Sequence, residues 1–325
     1  MTKETTPTNK KSKQSASTLY LTHEQCLLHE NGPGHPERPD RLRAIEKVLD
    51  HDLFSSLIRE EAPRATRAHL ELAHPKNYIE LIENSRPESG YAFIDPDTSM
   101  NKYTWDALMF SIGGAIHAVD QVFTKQNKNA FVATRPPGHH AETTRACGFC
   151  IFNNVAIAAN YARKTHAAER VAVVDFDVHH GNGTQDIFWS DKDLYYGSTH
   201  QMPLFPGTGA LNETGVDNIW NAPLSSGDGS EKFREAMQNR VLPSLKAFSP
   251  DLIIISAGFD AHRSDPLAGI NLEEQDFSWI TTELLDIAEK QCDGRVVSIL
   301  EGGYDLNSLA RSVGVHVQQL INAAS

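Results

Sequence analysis

The chain has 325 residues, of which 40% are hydrophobic and 22% charged, an ordinary globular composition that is sufficient for a large α/β domain without disulfide support. Its formal net charge of −12 argues against direct nucleic-acid binding, which requires a basic surface. No apolar stretch approaches the roughly 20 residues of a membrane span, and four cysteines suit a reducing compartment, so we expect a cytoplasmic protein.

The first 18 residues are polar, with many Thr, Lys and Ser residues, which predicts a disordered tail before one domain over residues 19–325. Hydrophobic periodicity then predicts strands and helices in alternation. The predicted strands are 19–21, 130–134, 171–175, 194–196, 252–256 and 296–300. The predicted helices are 40–50, 78–83, 105–123, 153–163, 234–248 with an interruption near Pro243, 277–288 and 306–320.

This alternation is typical of an α/β domain with a central parallel sheet and helices on both faces. Four polar segments follow predicted buried strands: RPPGHH, DFDVHHGNG, GFDAHRSDP and EGGYD. The carboxyl ends of parallel strands meet at one edge of the sheet, which is where such folds build their sites. We therefore expect these segments to form one functional site.

The segment that begins at the end of the predicted strand 171–175 contains two aspartates and two histidines within six residues. In extended geometry Asp175, Asp177 and His179 project to one side, and Asp177 and His179 are close enough to share a metal. Carboxylate and imidazole ligands suit zinc, and a catalytic zinc site needs a third protein ligand from elsewhere. The alternative is an ordinary strand that ends in a polar turn with surface histidines.

The motifs RPPGHH, GFCIFNN, DFDVHHGNGT, FPGTG, SAGFDAHRSDP and LEGGYD resemble those of the zinc-dependent histone deacetylase superfamily. That superfamily also contains acetylpolyamine amidohydrolases and acetoin-utilisation proteins. The likeness runs from His35 to the final helix. It implies the arginase-like fold, a single α/β domain with a central parallel sheet, in agreement with the pattern of predicted elements.

The resemblance also implies a metal centre. By matched motif the zinc ligands would be Asp177, His179 and Asp265, with one coordination position left open for chemistry. A potassium ion behind the zinc would use Asp175, Asp177, His179 and Ser198.

By the same resemblance, His139 and His140 would be the tandem histidines of the catalytic centre, with His140 as the general base and later acid. Asp175 would stand behind His139 and Asn182 behind His140, fixing their tautomers and orientations. Asparagine at this position is the pattern of the class II-like branch. Tyr304 would donate a hydrogen bond to the developing oxyanion.

Further matched positions concern the substrate. Phe149 and Phe205 would form the walls of a narrow tunnel for an acyl-lysine chain. Arg38 resembles the arginine of a channel behind the zinc. Leu272 matches an apolar rim residue and favours acyl-lysine, whereas a glutamate there would favour acetylpolyamines, and Glu273 is the next residue.

The sequence therefore predicts a zinc-dependent hydrolase that removes an acyl group, acetyl in the first instance, from lysine side chains of proteins or peptides. The first alternative is an acetylpolyamine amidohydrolase. A two-manganese ureohydrolase is disfavoured because it would need further carboxylates for a second metal site and because RPPGHH and Tyr304 are present. A non-catalytic acyl-lysine binder is disfavoured by the intact metal ligands and Tyr304. NAD-dependent deacetylation is disfavoured because no Gly-rich dinucleotide motif follows a strand. The sequence gives no indication of oligomeric state.

Overall fold

The computed structural model describes residues 17–325. Within this range the strands and their bounds are β1 (Thr18–Thr22), β2 (Ile58–Glu61), β3 (Ala92–Phe93), β4 (Ser99–Met100), β5 (Asn129–Val132), β6 (Val171–Asp175), β7 (Leu194–Gln201), β8 (Ile219–Leu224), β9 (Leu252–Ala257) and β10 (Val296–Leu300). Eight of them form one sheet in the order β2-β1-β5-β10-β9-β6-β7-β8, and β3 pairs with β4 in a small hairpin.

Every pairing in the eight-stranded sheet is parallel. The α-helices are α1 (Asp40–Leu49), α2 (Arg67–Leu70), α3 (Lys76–Asn84), α4 (Thr104–Phe123), α5 (Asn154–His166), α6 (Asn182–Phe188), α7 (Ser230–Ala236), α8 (Leu242–Phe248), α9 (Glu274–Gln291) and α10 (Leu306–Ala324). A π-helical turn, Met237–Val241, joins α7 to α8. It lies just before Pro243, whose ring cannot accept an ordinary helix interior.

Helices cover both faces of the sheet, as the alternation of strand side chains shows. In β6, Ala172 and Val174 pack into the hydrophobic cluster that contains residues of α1, α9 and α10. Val171 and Val173 pack into the opposite cluster, with residues of α4 and α5. Because successive strand residues point to opposite faces, a run that is apolar at every position fills both layers. The predicted fold class is confirmed.

Two strands of the sheet were absent from the sequence prediction. β2 lies at an edge and all four of its residues are exposed, so it carries no hydrophobic pattern. β8 at the other edge contains Pro223 and the half-buried Trp220, and a proline argues against a strand interior.

The N-terminal boundary also differs slightly from the prediction. Thr18, assigned to the tail, is the first residue of β1 and is buried. The rest of the predicted disordered tail, residues 1–16, lies outside the described residues.

No helix in the range 17–325 is long and apolar enough to cross a membrane.

Candidate active site

The four polar segments predicted to meet do follow neighbouring strands of the sheet. β5, β10, β9 and β6 are consecutive in the sheet order and parallel, so the segments after them leave the same edge. Side-chain contacts join these segments, for example between His139 after β5 and Asp175 at the end of β6, at 2.9 Å. The edge of the sheet is therefore one continuous polar centre.

A cluster of three ligand atoms lies at the heart of this centre. One atom each from Asp177, His179 and Asp260 lie within 4.8 Å of one another, and all three residues are buried. His179 Nδ1 is 3.1 Å from both Asp177 Oδ1 and Asp260 Oδ2. Burial opposes charging of the imidazole, but the two carboxylates outweigh it and raise the pKa of His179 to about 10.

Asp265, the third zinc ligand expected from the resemblance, is not in this set of three atoms. Its Oδ2 accepts hydrogen bonds from the backbone amides of Tyr304 at 2.7 Å and Asp305 at 3.2 Å. Burial raises the pKa of the Asp265 carboxyl, and so does the nearby charge of Asp177. The assignment of Asp265 as a ligand stays a prediction, and Asp260, five residues earlier in the same motif, is a second candidate that the sequence analysis missed.

The chemistry of this donor set fits a divalent cation. Asp175, Asp177, Asp260 and Glu301 are each at most 1% exposed, and buried carboxylates are costly unless a cation or hydrogen bonds compensate them. Burial and the charge of Asp177 raise the pKa of Asp260 to about 7, which is the response of a carboxyl group short of positive charge. Oxygen and imidazole donors in this combination suit zinc.

His139 is tied to the acidic side of the centre. Its Nδ1 is 2.9 Å from Asp175 Oδ2, and its Nε2 is 3.9 Å from Asp177 Oδ1. Burial works against protonation of His139, but Asp175 and Asp177 outweigh it and raise its pKa to about 10. Glu301 fixes the backbone here, since its Oε2 accepts from the amides of Gly138 and His139 at 2.7 and 3.1 Å.

His140 has a different partner and the opposite shift. Its Nδ1 lies 2.8 Å from Oδ1 of Asn182, a neutral amide. Burial and the neighbouring His139 and His179 hold the pKa of His140 well below its usual value. The two histidine rings are only 4.0 Å apart between centroids, yet their pKa values are shifted in opposite directions.

Tyr304 lies beside the cluster and is supported from behind by a buried arginine. Burial raises the pKa of the Tyr304 phenol well above its usual value, despite the nearby Arg41, so the hydroxyl remains a hydrogen-bond donor. The Arg41 guanidinium lies over the Tyr304 ring at 4.9 Å from its centroid. It also donates to the carbonyl oxygens of Gly303, at 2.7 Å, and Glu301.

This geometry corrects the assignment of Arg38. The Arg38 side chain is 49% exposed and pairs with Asp40 at the surface, whereas Arg41 is fully buried behind Tyr304. Arg41 also pairs with Glu37 at 3.1 Å, and Glu37 in turn binds the buried Arg135. Helical spacing gave no signal for this pair, because Glu37 lies before the start of α1 at Asp40.

Phe149 and Phe205, the two predicted aromatic walls, lie next to Tyr304 and His140, respectively. The Phe149 ring is 5.8 Å from that of Tyr304, and the Phe205 ring is 5.0 Å from that of His140. Gly148 allows this approach: a Cβ there would lie 2.5 Å from the His140 ring and 2.8 Å from Phe205, and its φ of +55° favours glycine. Phe205 is 43% exposed, as expected at an entrance.

Leu272 does not occupy the predicted rim. It is 0% exposed and belongs to the hydrophobic cluster that includes Phe176 and Phe233. The following acidic residues are engaged in surface ion pairs, Glu273 with Arg263 and Glu274 with Arg311. The segment is held inward because the Leu272 amide donates to the Ala261 carbonyl at 3.0 Å. The identity of residue 272 therefore does not distinguish an acyl-lysine substrate from an acetylpolyamine.

Ser198, predicted to contribute to a potassium site, lies on β7 directly beside Asp175 of β6 in the register of the sheet. Its hydroxyl is buried and lies 2.9 Å from His200 Nδ1. The predicted oxygen donors are therefore neighbours.

Comparison with known proteins agrees with this architecture. The family profile described as "Histone deacetylase domain" matches residues 35–320. The chain is 38% identical to a "Probable deacetylase" of Archaeoglobus fulgidus, covering 89% of this chain and 82% of that protein. It is 37% identical to a "Histone deacetylase-like amidohydrolase" of Pseudomonas aeruginosa, covering 88% and 81%.

Among solved structures, "Crystal Structure of HDA15 HD domain" is similar with a TM-score of 0.89 and 38% identity, over 95% of this chain and 89% of that one. A single α/β domain with a parallel sheet and a buried carboxylate and imidazole centre at its edge defines the class. The chain belongs to the histone deacetylase family.

Proposed function

We propose that this protein is a zinc-dependent amidohydrolase that removes an acyl group from lysine side chains of proteins or peptides, and that this acyl group is acetyl. The observation that carries the proposal is the juxtaposition of the buried cluster of Asp177, His179 and Asp260 with the oppositely poised pair His139 and His140. Hydrolysis of an amide needs a base, an acid and an electrophile, and these residues can provide or hold all three.

Asp177, His179 and a third carboxylate, from Asp265 or Asp260, would hold the zinc. When bound, zinc polarises an amide carbonyl and lowers the pKa of water towards about 7. His140 acts as the base: with its Nδ1–H donating to Asn182, its Nε2 has a free lone pair that takes a proton from the attacking water. Tyr304 donates its hydroxyl proton in a hydrogen bond to the oxygen of the tetrahedral intermediate.

His139 supplies positive charge beside the reaction. Its imidazolium is stabilised by Asp175 at 2.9 Å, and it lies next to His140, which returns its proton to the departing amine nitrogen. Collapse of the intermediate then releases a carboxylate and the free lysine amine. Phe149 and Phe205 would contact the methylene chain of the lysine and exclude water from it.

The acetylpolyamine alternative has an observation of its own. Asp97, whose pKa is raised by burial and by the charge of Asp95, belongs to the segment beside the aromatic wall, where the Phe149 amide donates to Thr98 Oγ1 at 2.9 Å. Two acidic side chains near an entrance favour a cationic substrate chain. With Leu272 in the core, the choice between the two substrates rests on assay.

The deciding experiment measures zinc content and amine release from an acetyl-lysine peptide and from acetylspermidine. We expect about one zinc per chain and turnover of the peptide, with loss of about 100-fold or more in Tyr304→Phe. Tyr103→Phe, at an exposed tyrosine, is the matched control and should retain activity. Turnover of acetylspermidine alone would establish the alternative, and bound zinc without turnover of either substrate would favour a non-catalytic binder.

We also propose a potassium ion bound by Asp175, Asp177, His179 and Ser198. Its support is the register of Asp175 and Ser198 on adjacent strands and the surplus of buried carboxylates. Titration with KCl at constant ionic strength should raise the melting temperature of the zinc-loaded protein more than NaCl does. Equal effects of the two salts would contradict the proposal.

For location we propose a reducing compartment, namely the cytoplasm. Its support is that the four cysteines, Cys26, Cys147, Cys150 and Cys292, are all free and buried. Immunofluorescence or fractionation of the source cells tests this directly, and recovery in an oxidising compartment would contradict it.

A further inference from the structure

The partner of His140 is an amide, and an amide has two different ends. Asn182 Oδ1 faces His140 Nδ1 at 2.8 Å. Its Nδ2 faces Oε1 of Glu142 at 2.7 Å and Sγ of Cys147 at 3.7 Å. The two ends have nearly the same shape but opposite hydrogen-bonding character, since one accepts and the other donates.

The orientation of this amide decides which nitrogen of His140 carries the proton. With Oδ1 towards His140, Nδ1 must donate, and Nε2 is left as the basic nitrogen. If the amide turned over, its NH₂ group would face Nδ1 and would require a lone pair there. The proton would then sit on Nε2, and the residue could not act as a base.

His140 alone cannot select the orientation, because a neutral imidazole satisfies either end of the amide by changing tautomer. The selection must come from the other side of Asn182. There Glu142 is a carboxylate, which only accepts hydrogen bonds. A reversed amide would place Asn182 Oδ1 against Glu142 Oε1, two acceptors without a proton between them, in a place where Asn182 is 5% exposed and water cannot fully compensate.

Glu142 is itself held in place. Its Oε2 accepts from Arg145 Nε at 3.0 Å, and the backbones of Glu142 and Arg145 form a bridge with hydrogen bonds of 2.9 and 3.5 Å. The Arg145 side chain is 61% exposed and that of Glu142 is 26% exposed. A turn at the protein surface thus carries an acceptor inward to the amide that contacts His140.

We propose that Glu142 is a positioning residue that orients the Asn182 amide and thereby fixes His140 in the tautomer with a free Nε2. The inference rests on the proposed function for the role of His140 as base, but the hydrogen-bond chain from Glu142 through Asn182 to His140 exists independently of substrate. This hydrogen-bond chain predicts that substitution of Glu142 changes the tautomer of His140, an effect that the loss of an ordinary surface ion pair would not produce.

The test is a set of four proteins: wild type, Glu142→Ala, Asn182→Asp and the double variant. In Glu142→Ala the amide can turn over, so kcat should fall about tenfold while KM stays nearly constant. In Asn182→Asp a new carboxylate faces Glu142, and like charges at this distance disfavour the arrangement. In the double variant that repulsion is absent, and either oxygen of the aspartate can accept from His140 Nδ1.

The double variant should therefore be more active than either single variant. Each substitution alone would lower activity, whereas the same substitution would raise activity when the other is already present, and this change of sign would demonstrate coupling between positions 142 and 182. Glu142→Gln should retain most activity, because its side-chain oxygen can still accept from Asn182. Glu235→Ala, which removes the acid of an exposed i,i+3 ion pair on α7, is the matched control and should behave as wild type. Additive losses at 142 and 182 would overturn the inference and indicate a merely structural role.

A second readout is independent of turnover. Nitrogen-15 NMR of the imidazoles in the zinc-loaded protein distinguishes a protonated from an unprotonated Nδ1 at His140. We expect Nδ1–H in wild type and a mixture of tautomers in Glu142→Ala. An unchanged spectrum in that variant overturns the inference even if the enzyme is active, and a mixture supports it even if no amidohydrolase activity is found.

Discussion

His139 and His140 are adjacent in sequence, yet they stand in opposite electrostatic surroundings. His139 faces Asp175 and Asp177, whose charges outweigh burial and raise its pKa to about 10. His140 faces the neutral Asn182, so burial dominates and lowers its pKa. The difference teaches that the protonation state of a buried histidine is set by whether its partner carries charge, and that one dipeptide can supply both a cation and a base.

The largest effect should come from removing the two rings separately. His140→Ala should lower kcat by about 1,000-fold, since it removes the proposed general base. His139→Ala should cost about 100-fold, because it removes only positive charge next to the reaction. Steady-state kinetics on the acetyl-lysine peptide measures both, with the exposed His51→Ala as control. Equal losses in the two variants would contradict the division of roles.

A smaller effect should follow from neutralising the partner of His139. Asp175→Asn gives His139 the same kind of partner that His140 has, so we expect its pKa to fall. Losing the charge of a fully buried pair should also lower the free energy of unfolding of the zinc-free chain by about 3 kcal/mol. NMR titration and urea unfolding measure the two quantities, with Asp286→Asn, at an exposed position of α9, as control. A His139 pKa that stays high would show that Asp175 is not its cause.

The smallest effect concerns buried histidines that, like His140, have neutral partners. Burial lowers the pKa of His74 to about 4 and that of His316 to about 3, both below the unfolded value of about 6.5. Between pH 6.5 and these values the unfolded chain binds more protons than the folded one. The free energy of unfolding should therefore fall as pH falls, by about 1.4 kcal/mol per pH unit for each residue.

Urea unfolding of the zinc-free chain at pH 7, 6 and 5 measures this slope. In His316→Gln, which can still bond Thr281 and Ser298, the contacts of the native ring, the slope should be shallower by the contribution of one histidine. His51→Asn should leave it unchanged. An identical slope in His316→Gln and wild type would show that His316 does not titrate on unfolding.

The sequence predicted the parts of the site that lie within a few residues of buried strands. Asp177 and His179 were found because β6 is apolar at every position until the polar residues begin. Arg41 was missed because its partner in space, Tyr304, is more than 260 residues away. Asp260 was missed because two aspartates in one motif cannot be ranked as ligands without their distances to His179.

Edges and rims were the least predictable. β2 is exposed along its whole length, so no hydrophobic pattern marks it. Leu272 was matched to a rim residue by its position in the sequence. The direction of its side chain depends on the backbone hydrogen bond from Leu272 to Ala261, which no local sequence pattern predicts. The longer helices and the central strands were predicted because periodic burial determines both their sequence and their conformation, whereas the short helices α2 and α6 were not predicted.

The position of β10 has a consequence for synthesis. This last strand lies between β5 and β9, so it joins the part of the sheet formed by β2, β1 and β5 to the part formed by β9, β6, β7 and β8. The tandem histidines follow β5, whereas Asp177 and His179 follow β6. A nascent chain lacking Val296–Leu300 cannot complete the sheet, so the segment with His139 and His140 and the segment with Asp177 and His179 remain on separate parts of it until β10 is added.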